Sequence, residues 1–145
     1  MKKIIILLNL LPFLASAQLI PKDANTIVVK KVGFLEVCNA LLDSGYIISK
    51  KDNELQTVST ENKEYPKLWS AAYKIDIRIK DSTAYISGTV TAPPGGGLYI
   101  NEPLFNHTNK KGITYPKSMF GYAFLLVNDF ALSFKKEITY STTKR

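Results

Sequence analysis

The sequence predicts a two-layer α+β domain: a five-stranded antiparallel sheet with two helices on one face, in the order β-α-β-β-β-β-α, and a long loop before the last helix. Three observations carry this expectation. Residues 69–80 alternate almost strictly, with Trp69, Ala71, Tyr73, Ile75, Ile77 and Ile79 on one side and Ser70, Ala72, Lys74, Asp76, Arg78 and Lys80 on the other. That is the period of a strand with one buried and one wet face. Two other stretches, 34–42 and 119–134, carry apolar residues at helical spacing. Finally, short polar turns separate the central strands where parallel pairing would need crossover helices, which selects an antiparallel sheet with helices gathered on its apolar face.

The elements follow in order. Residues 26–32 are rich in β-branched side chains and predict a first strand, broken by Gly33. Phe34, Leu35, Val37, Cys38, Leu41 and Leu42 then share one helical arc, and Gly45 supplies a left-handed stop. Residues 46–50 and 55–60 predict a hairpin closed by the polar turn 51–54. The alternating strand 69–80 turns at Asp81-Ser82 into 83–91, where Ala84, Ile86, Gly88 and Val90 alternate with Thr83, Tyr85, Ser87 and Thr89. Regular periodicity is absent over 92–117, which opens with Pro93-Pro94-Gly95-Gly96-Gly97. Ser118 is the expected N-cap of the last helix, whose main face carries Met119, Phe120, Ala123, Leu126, Val127, Phe130 and Phe134. A second stripe of Gly121, Leu125, Asn128 and Leu132 lies opposite, and part of the long loop is expected to cover it.

The chain has 145 residues and a net charge of +7, two units of which belong to Lys2 and Lys3. These lysines, the apolar run 4–14 and Ala15-Ser16-Ala17 have the three zones of a secretory signal peptide. Residues 1–17 are therefore expected to be cleaved before Gln18, leaving 18–145 as one soluble domain in the periplasm or outside the cell. The apolar run falls short of the roughly 20 residues of a membrane span, and Gln18 stands where lipid anchoring requires a cysteine. The lysine pairs Lys30-Lys31, Lys50-Lys51, Lys110-Lys111 and Lys135-Lys136 are spread along the chain, the pattern of solvated edges and not of a nucleic-acid interface. Cys38 is the single cysteine, so no intramolecular disulfide can form, and its place in the helical arc predicts a buried thiol.

Residue types that carry chemistry are sparse. His107 is the only histidine, carboxylates show no metal-ligand spacing, and no Gly-x-Ser-x-Gly elbow is present, so no metal, cofactor or catalytic set is expected. Gly95-Gly96-Gly97 lacks the Gly-Lys-Ser/Thr ending of a phosphate-binding loop. What remains is recognition. The loop 92–117 bears apolar and aromatic residues, and long loops on rigid scaffolds are a usual place for binding. Tyr99, Phe105, His107 and Tyr115, with Leu125 and Leu132 on the back of the last helix, are the candidate binding residues. Trp69, Tyr65, Tyr73 and Tyr85 are read first as core packing and second as an aromatic floor for a glycan, lipid or peptide.

The element order, the Gly45-Tyr46 entry to the second strand and the Lys80-Asp81 turn before Ile86-Ser87-Gly88 resemble small exported bacterial domains of the TATA-binding-protein-like or helix-grip type. The small domains of the outer-membrane assembly lipoprotein C share that layout. The likeness extends over 26–90 and 119–134 and implies a fold but no activity, because one fold hosts many functions. The reading expected from the whole is an exported, non-enzymatic binding or protein-interaction domain of the bacterial cell envelope, whose partner is an envelope protein or a small ligand. The alternatives are a small exported hydrolase using His107 with a nearby carboxylate, and a structural envelope-assembly component.

Overall fold

The computed structural model describes residues 20–21, 24–64, 72–91, 101–103 and 119–142. The elements run β1 (Thr26–Lys30), α1 (Phe34–Asp43), β2 (Ile48–Asp52), β3 (Thr57–Thr60), β4 (Lys63–Glu64), β5 (Ala72–Lys80), β6 (Thr83–Thr91), β7 (Asn101–Pro103), α2 (Met119–Leu132) and β8 (Ile138–Ser141). All strands join one antiparallel sheet in the order β2-β3-β5-β6-β1-β8, with β4 on β5 and β7 on β6.

The α+β class and the antiparallel sheet with two helices agree with the sequence expectation, but the described residues form eight strands where five were expected. The additional ones are short. β4 has two residues and β7 three, too few for any period to be read, and β7 lies inside the stretch expected to lack regular structure. β8 follows the helix expected to end the fold and pairs with β1 through Val29–Ile138 and Thr26–Ser141.

The β5–β6 hairpin is the spine of the sheet, paired over its full length from Ala72–Thr91 to Lys80–Thr83. Its two-residue turn forms where Asp81 and Ser82 take left-handed backbone, φ 50° and 54°, as a twisted hairpin requires. Residues Tyr73, Ile75, Ile77 and Ile79 of β5 and Ala84, Ile86 and Val90 of β6 are buried in a single core with Ile27 and Val29 of β1 and Val58 of β3. Both helices contribute to this core, α1 with Val37, Cys38 and Leu41, and α2 with Ala123, Phe124, Val127, Phe130 and Ala131. Ring contacts tie it together: Tyr46 meets Phe130 edge-on at 5.6 Å, and the Tyr46 and Tyr73 hydroxyls lie 3.0 Å apart. Burial raises the pKa of the Tyr46 phenol above its ordinary value, while the hydrogen bond with Tyr73 opposes the shift and the nearby Asp129 charge adds to it.

Three details depart from the expected local structure. Leu35 and Leu42 are 66% and 56% exposed, because the buried seam of α1 is narrow and its flanks stay wet. The β2–β3 turn lies at 53–56, two residues later than expected, since the Asp52 carboxylate accepts the backbone N–H groups of Glu54 and Leu55 and holds the chain extended up to that point. In α2, Phe124 and Ala131 join the core, so the helix is buried over a wider arc than its main stripe.

The ends of α1 are tied by charge. The Glu36 carboxylate accepts from the Gly33 N–H and from Lys136, whose ammonium also donates to the Lys31 carbonyl. The Lys136 hydrogen bond holds the Glu36 carboxyl below its usual range. At the other end, Gly45 at φ 71° closes the helix as expected, and Lys63 donates to the carbonyls of Ser44 and Gly45 while its ammonium lies 4.1 Å over the Tyr46 ring. Among the described residues, no helix is long and apolar enough to cross a membrane.

Candidate functional site

The sheet face turned away from the helices is polar, and strand alternation puts it there. The residues of β5 and β6 that alternate with the core positions, among them Lys74, Asp76, Arg78, Lys80, Tyr85, Ser87 and Thr89, project from this face. Pairing aligns them into rows across the strands. Ser59, Asp76 and Ser87 are successive cross-strand neighbours. So are Thr57, Arg78, Tyr85 and Val28.

These rows form the floor of a groove of about 510 Å³, lined by Asn25, Thr26, Thr57, Ser59, Asp76, Arg78, Lys80, Tyr85 and Ser87 with the chain at Ile77 and Gly88. Such a volume lies within the roughly 300–1,000 Å³ range of small-molecule sites. The polar groups on the floor are partly preorganised. Ser59 donates to the Asp76 carboxylate at 2.7 Å, Ser87 donates to the Asp76 carbonyl at 3.3 Å, and Thr26 donates to the Asn25 side-chain oxygen at 3.0 Å. Tyr85 stands 41% exposed among them.

The charges on this face do not cancel. Asp76 is engaged by Ser59 and lies 3.8 Å from the Lys74 ammonium. Glu137, at the β8 end, is bonded to Lys30 at 2.7 Å. Asp52 is occupied by its own turn. Arg78 and Lys80 therefore point from the floor with no carboxylate of the described residues within ion-pair distance. Among the described residues, no group of three or more His, Cys, Asp or Glu side chains is placed to hold a metal ion.

Tyr99, Phe105, His107 and Tyr115 lie outside the described residues, as do Trp69, Tyr65 and the N-terminal 1–17. Leu125 is half-buried and Leu132 is 52% exposed on α2, a helix packed on the face opposite the groove, while their stripe partners Gly121 and Asn128 are buried. The Asn128 side-chain oxygen accepts from the Tyr140 hydroxyl at 2.9 Å, which brings β8 across part of that stripe. Sequence reading placed Arg78 and Lys80 on the strands without singling them out as a site, and its first reading of Tyr85 as core packing is corrected by the exposure of that ring on the face away from the core. The two-residue turn at Asp81-Ser82 implies that Arg78 faces Tyr85 and Asp76 faces Ser87. The pairing of β3 and β1 with this hairpin has no comparable local signal.

Fold and groove together define a two-layer α+β domain in which, among the described residues, helices pack on one face of the sheet and none on the other. No protein-family model matches the chain, and no curated protein matches it significantly.

Proposed function

We propose that the protein is an exported, non-enzymatic binding domain of the bacterial cell envelope and that it binds its ligand in the open-face groove. The groove carries this reading: a concave surface lined by hydroxyls, an exposed tyrosine and two cations that no described carboxylate holds is what a recognition site needs. Export rests on the basic, apolar and small-residue zones of 1–17. The helix-grip likeness and the loop residues Tyr99, Phe105, His107 and Tyr115 as candidate binding residues remain part of the proposal.

The test is to fill the groove. Ser87→Trp places an indole on the floor without touching the core, so the thermal midpoint should stay within a few degrees of the parent. Amide chemical shifts of the labelled protein are then followed against polysaccharide, peptide and lipid fractions of a bacterial envelope. Shifts concentrated on β3, β5 and β6 in the parent and lost in Ser87→Trp are expected. Binding that persists with the groove filled would overturn the reading. Intact-mass analysis of the exported protein should give a chain starting at Gln18; a mass retaining 1–17 would remove the export half of the proposal.

A further inference from the structure

We infer that the ligand class of this groove is a carboxylate-bearing oligosaccharide of the uronic-acid kind, held at its carboxylate by Arg78 with Lys80 and stacked on the Tyr85 ring; this rests on the groove being the binding surface. Charge complementarity gives the first step. Lys74 offsets Asp76 and Lys30 offsets Glu137, and among the described residues no carboxylate lies within ion-pair distance of Arg78 or Lys80, so an anion is favoured over a neutral or cationic ligand. A guanidinium presents a planar fork that matches a carboxylate with two parallel hydrogen bonds, and Lys80 adds a point charge beside it.

The lining gives the second step. Asn25, Thr26, Thr57, Ser59 and Ser87 surround the cations with small hydroxyl and amide groups. These groups can donate and accept in turn, which suits a ligand that is itself rich in hydroxyls. The Asp76 carboxylate, fixed by Ser59, is an acceptor ready for a sugar hydroxyl.

The third step is Tyr85. It is the cross-strand partner of Arg78, so its ring stands directly beside the proposed carboxylate clamp, and its exposure leaves a flat apolar surface there. The face of a pyranose ring, with its C–H groups, covers such a surface while its rim of hydroxyls meets Ser59 and Ser87. A free carboxylate or phosphate would use Arg78 and Lys80 but leave Tyr85 uncovered.

The experiment is an amide-shift titration of the full chain with trisaccharides of galacturonate, mannuronate and glucuronate, with the methyl esters of the same sugars, with tri-glutamate and with inorganic phosphate. At least one acid trisaccharide is expected to shift Thr57, Ser59, Asp76, Arg78, Tyr85 and Ser87, to lose tenfold or more in affinity as its methyl ester, and to weaken as salt is raised. Arg78→Gln and Tyr85→Ala should each reduce that affinity at unchanged thermal midpoint. Equal binding of acid and ester, tighter binding of tri-glutamate or phosphate at the same amides, or no response to any acid trisaccharide would overturn the inference. Ester or peptide binding in the groove would still leave the groove reading intact, since that reading fails only when Ser87→Trp leaves binding unaltered.

Discussion

The two faces of the β5–β6 hairpin are made by alternate residues of the same strands, yet they obey different rules. On the core side, Ile75, Ile77, Ala84, Ile86 and Val90 are sealed by two helices. On the other, Asp76, Arg78, Tyr85 and Ser87 meet solvent and leave positive charge unmatched. The difference teaches that one alternating pattern can encode stability on one parity and leave the other for the proposed recognition. Substitution on one face should then change folding free energy, and substitution on the other should change binding.

The core side offers the largest effect. Phe124 is 1% exposed and lies over the β8 edge with its ring 6.3 Å from that of Tyr140. Phe124→Ala should destabilise the domain by about 3–5 kcal/mol through lost burial and the cavity left behind. Urea unfolding measures this, and a cost below about 1 kcal/mol would mean that α2 is not part of the core. Leu41→Ala and Leu35→Ala make a matched pair on α1: about 2–5 kcal/mol for the buried residue and no more than about 0.5 kcal/mol for the exposed one. Equal costs would erase the narrow seam that separates them.

A smaller effect tests a polar group inside the closed layer. Tyr140→Phe leaves the buried Asn128 oxygen without the hydroxyl that satisfies it and should cost about 1–3 kcal/mol. The same phenol, together with Tyr46, links the core to pH. Burial, the largest cause, raises both pKa values above 10.0 by disfavouring the phenolate. The folded state therefore holds these protons more tightly than the unfolded one. Their contribution to stability is complete below pH 10 and is lost as pH rises through the raised values. Denaturation midpoints measured from pH 8 to 12 should fall above pH 10, less steeply in the Tyr46→Phe, Tyr140→Phe double variant. An unchanged slope would show that neither phenol titrates differently on folding.

The closed face was legible in the sequence and the open face only half so, for a physical reason. Burial imposes composition, and nine-residue strands are long enough for Tyr73, Ile75, Ile77 and Ile79 to declare their side. The Asp81-Ser82 turn also fixed the hairpin register. By contrast, β4, β7 and β8 offer two to four residues each, and a strand that short has no readable period. The groove was harder still. Ser59 and Thr57 reach Asp76 and Arg78 from β3, and Asn25 and Thr26 arrive at the start of β1, through pairings between segments distant in the chain. Nothing in the local pattern of Thr57 or Ser59 separates a ligand-facing hydroxyl from an ordinary edge residue.

The hairpin turn belongs to neither face. Ser82 carries a β-carbon at φ 54°, where left-handed backbone is costly for any residue but glycine. Ser82→Gly should relieve that cost and raise stability by about 0.5–1 kcal/mol, after allowing for glycine's greater freedom in the unfolded chain. Its carbonyl keeps the hydrogen bond from the Val32 N–H in either case. A loss of stability would mean that the serine side chain supports the turn in a way the hydrogen bonds do not reveal.

The smallest expected effect is the one that most sharpens the comparison. Arg78 and Ser87 project from the open face, Arg78 is exposed, and no described carboxylate holds its guanidinium. Arg78→Gln and Ser87→Ala should each change folding free energy by no more than about 0.5 kcal/mol, the usual scale of surface substitutions. Asp76→Asn, which weakens the contact with Ser59 and the longer-range pull of Lys74, should stay on the same scale because the pair is partly solvated. If these changes cost as much as Phe124→Ala, the open face would be structural, with its charges and hydroxyls bracing the sheet. If they are neutral, stability does not account for the retention of two unmatched cations and an exposed tyrosine side by side. A binding role then explains their arrangement, and the same variants separate it from folding because each remains as stable as the parent while its affinity changes.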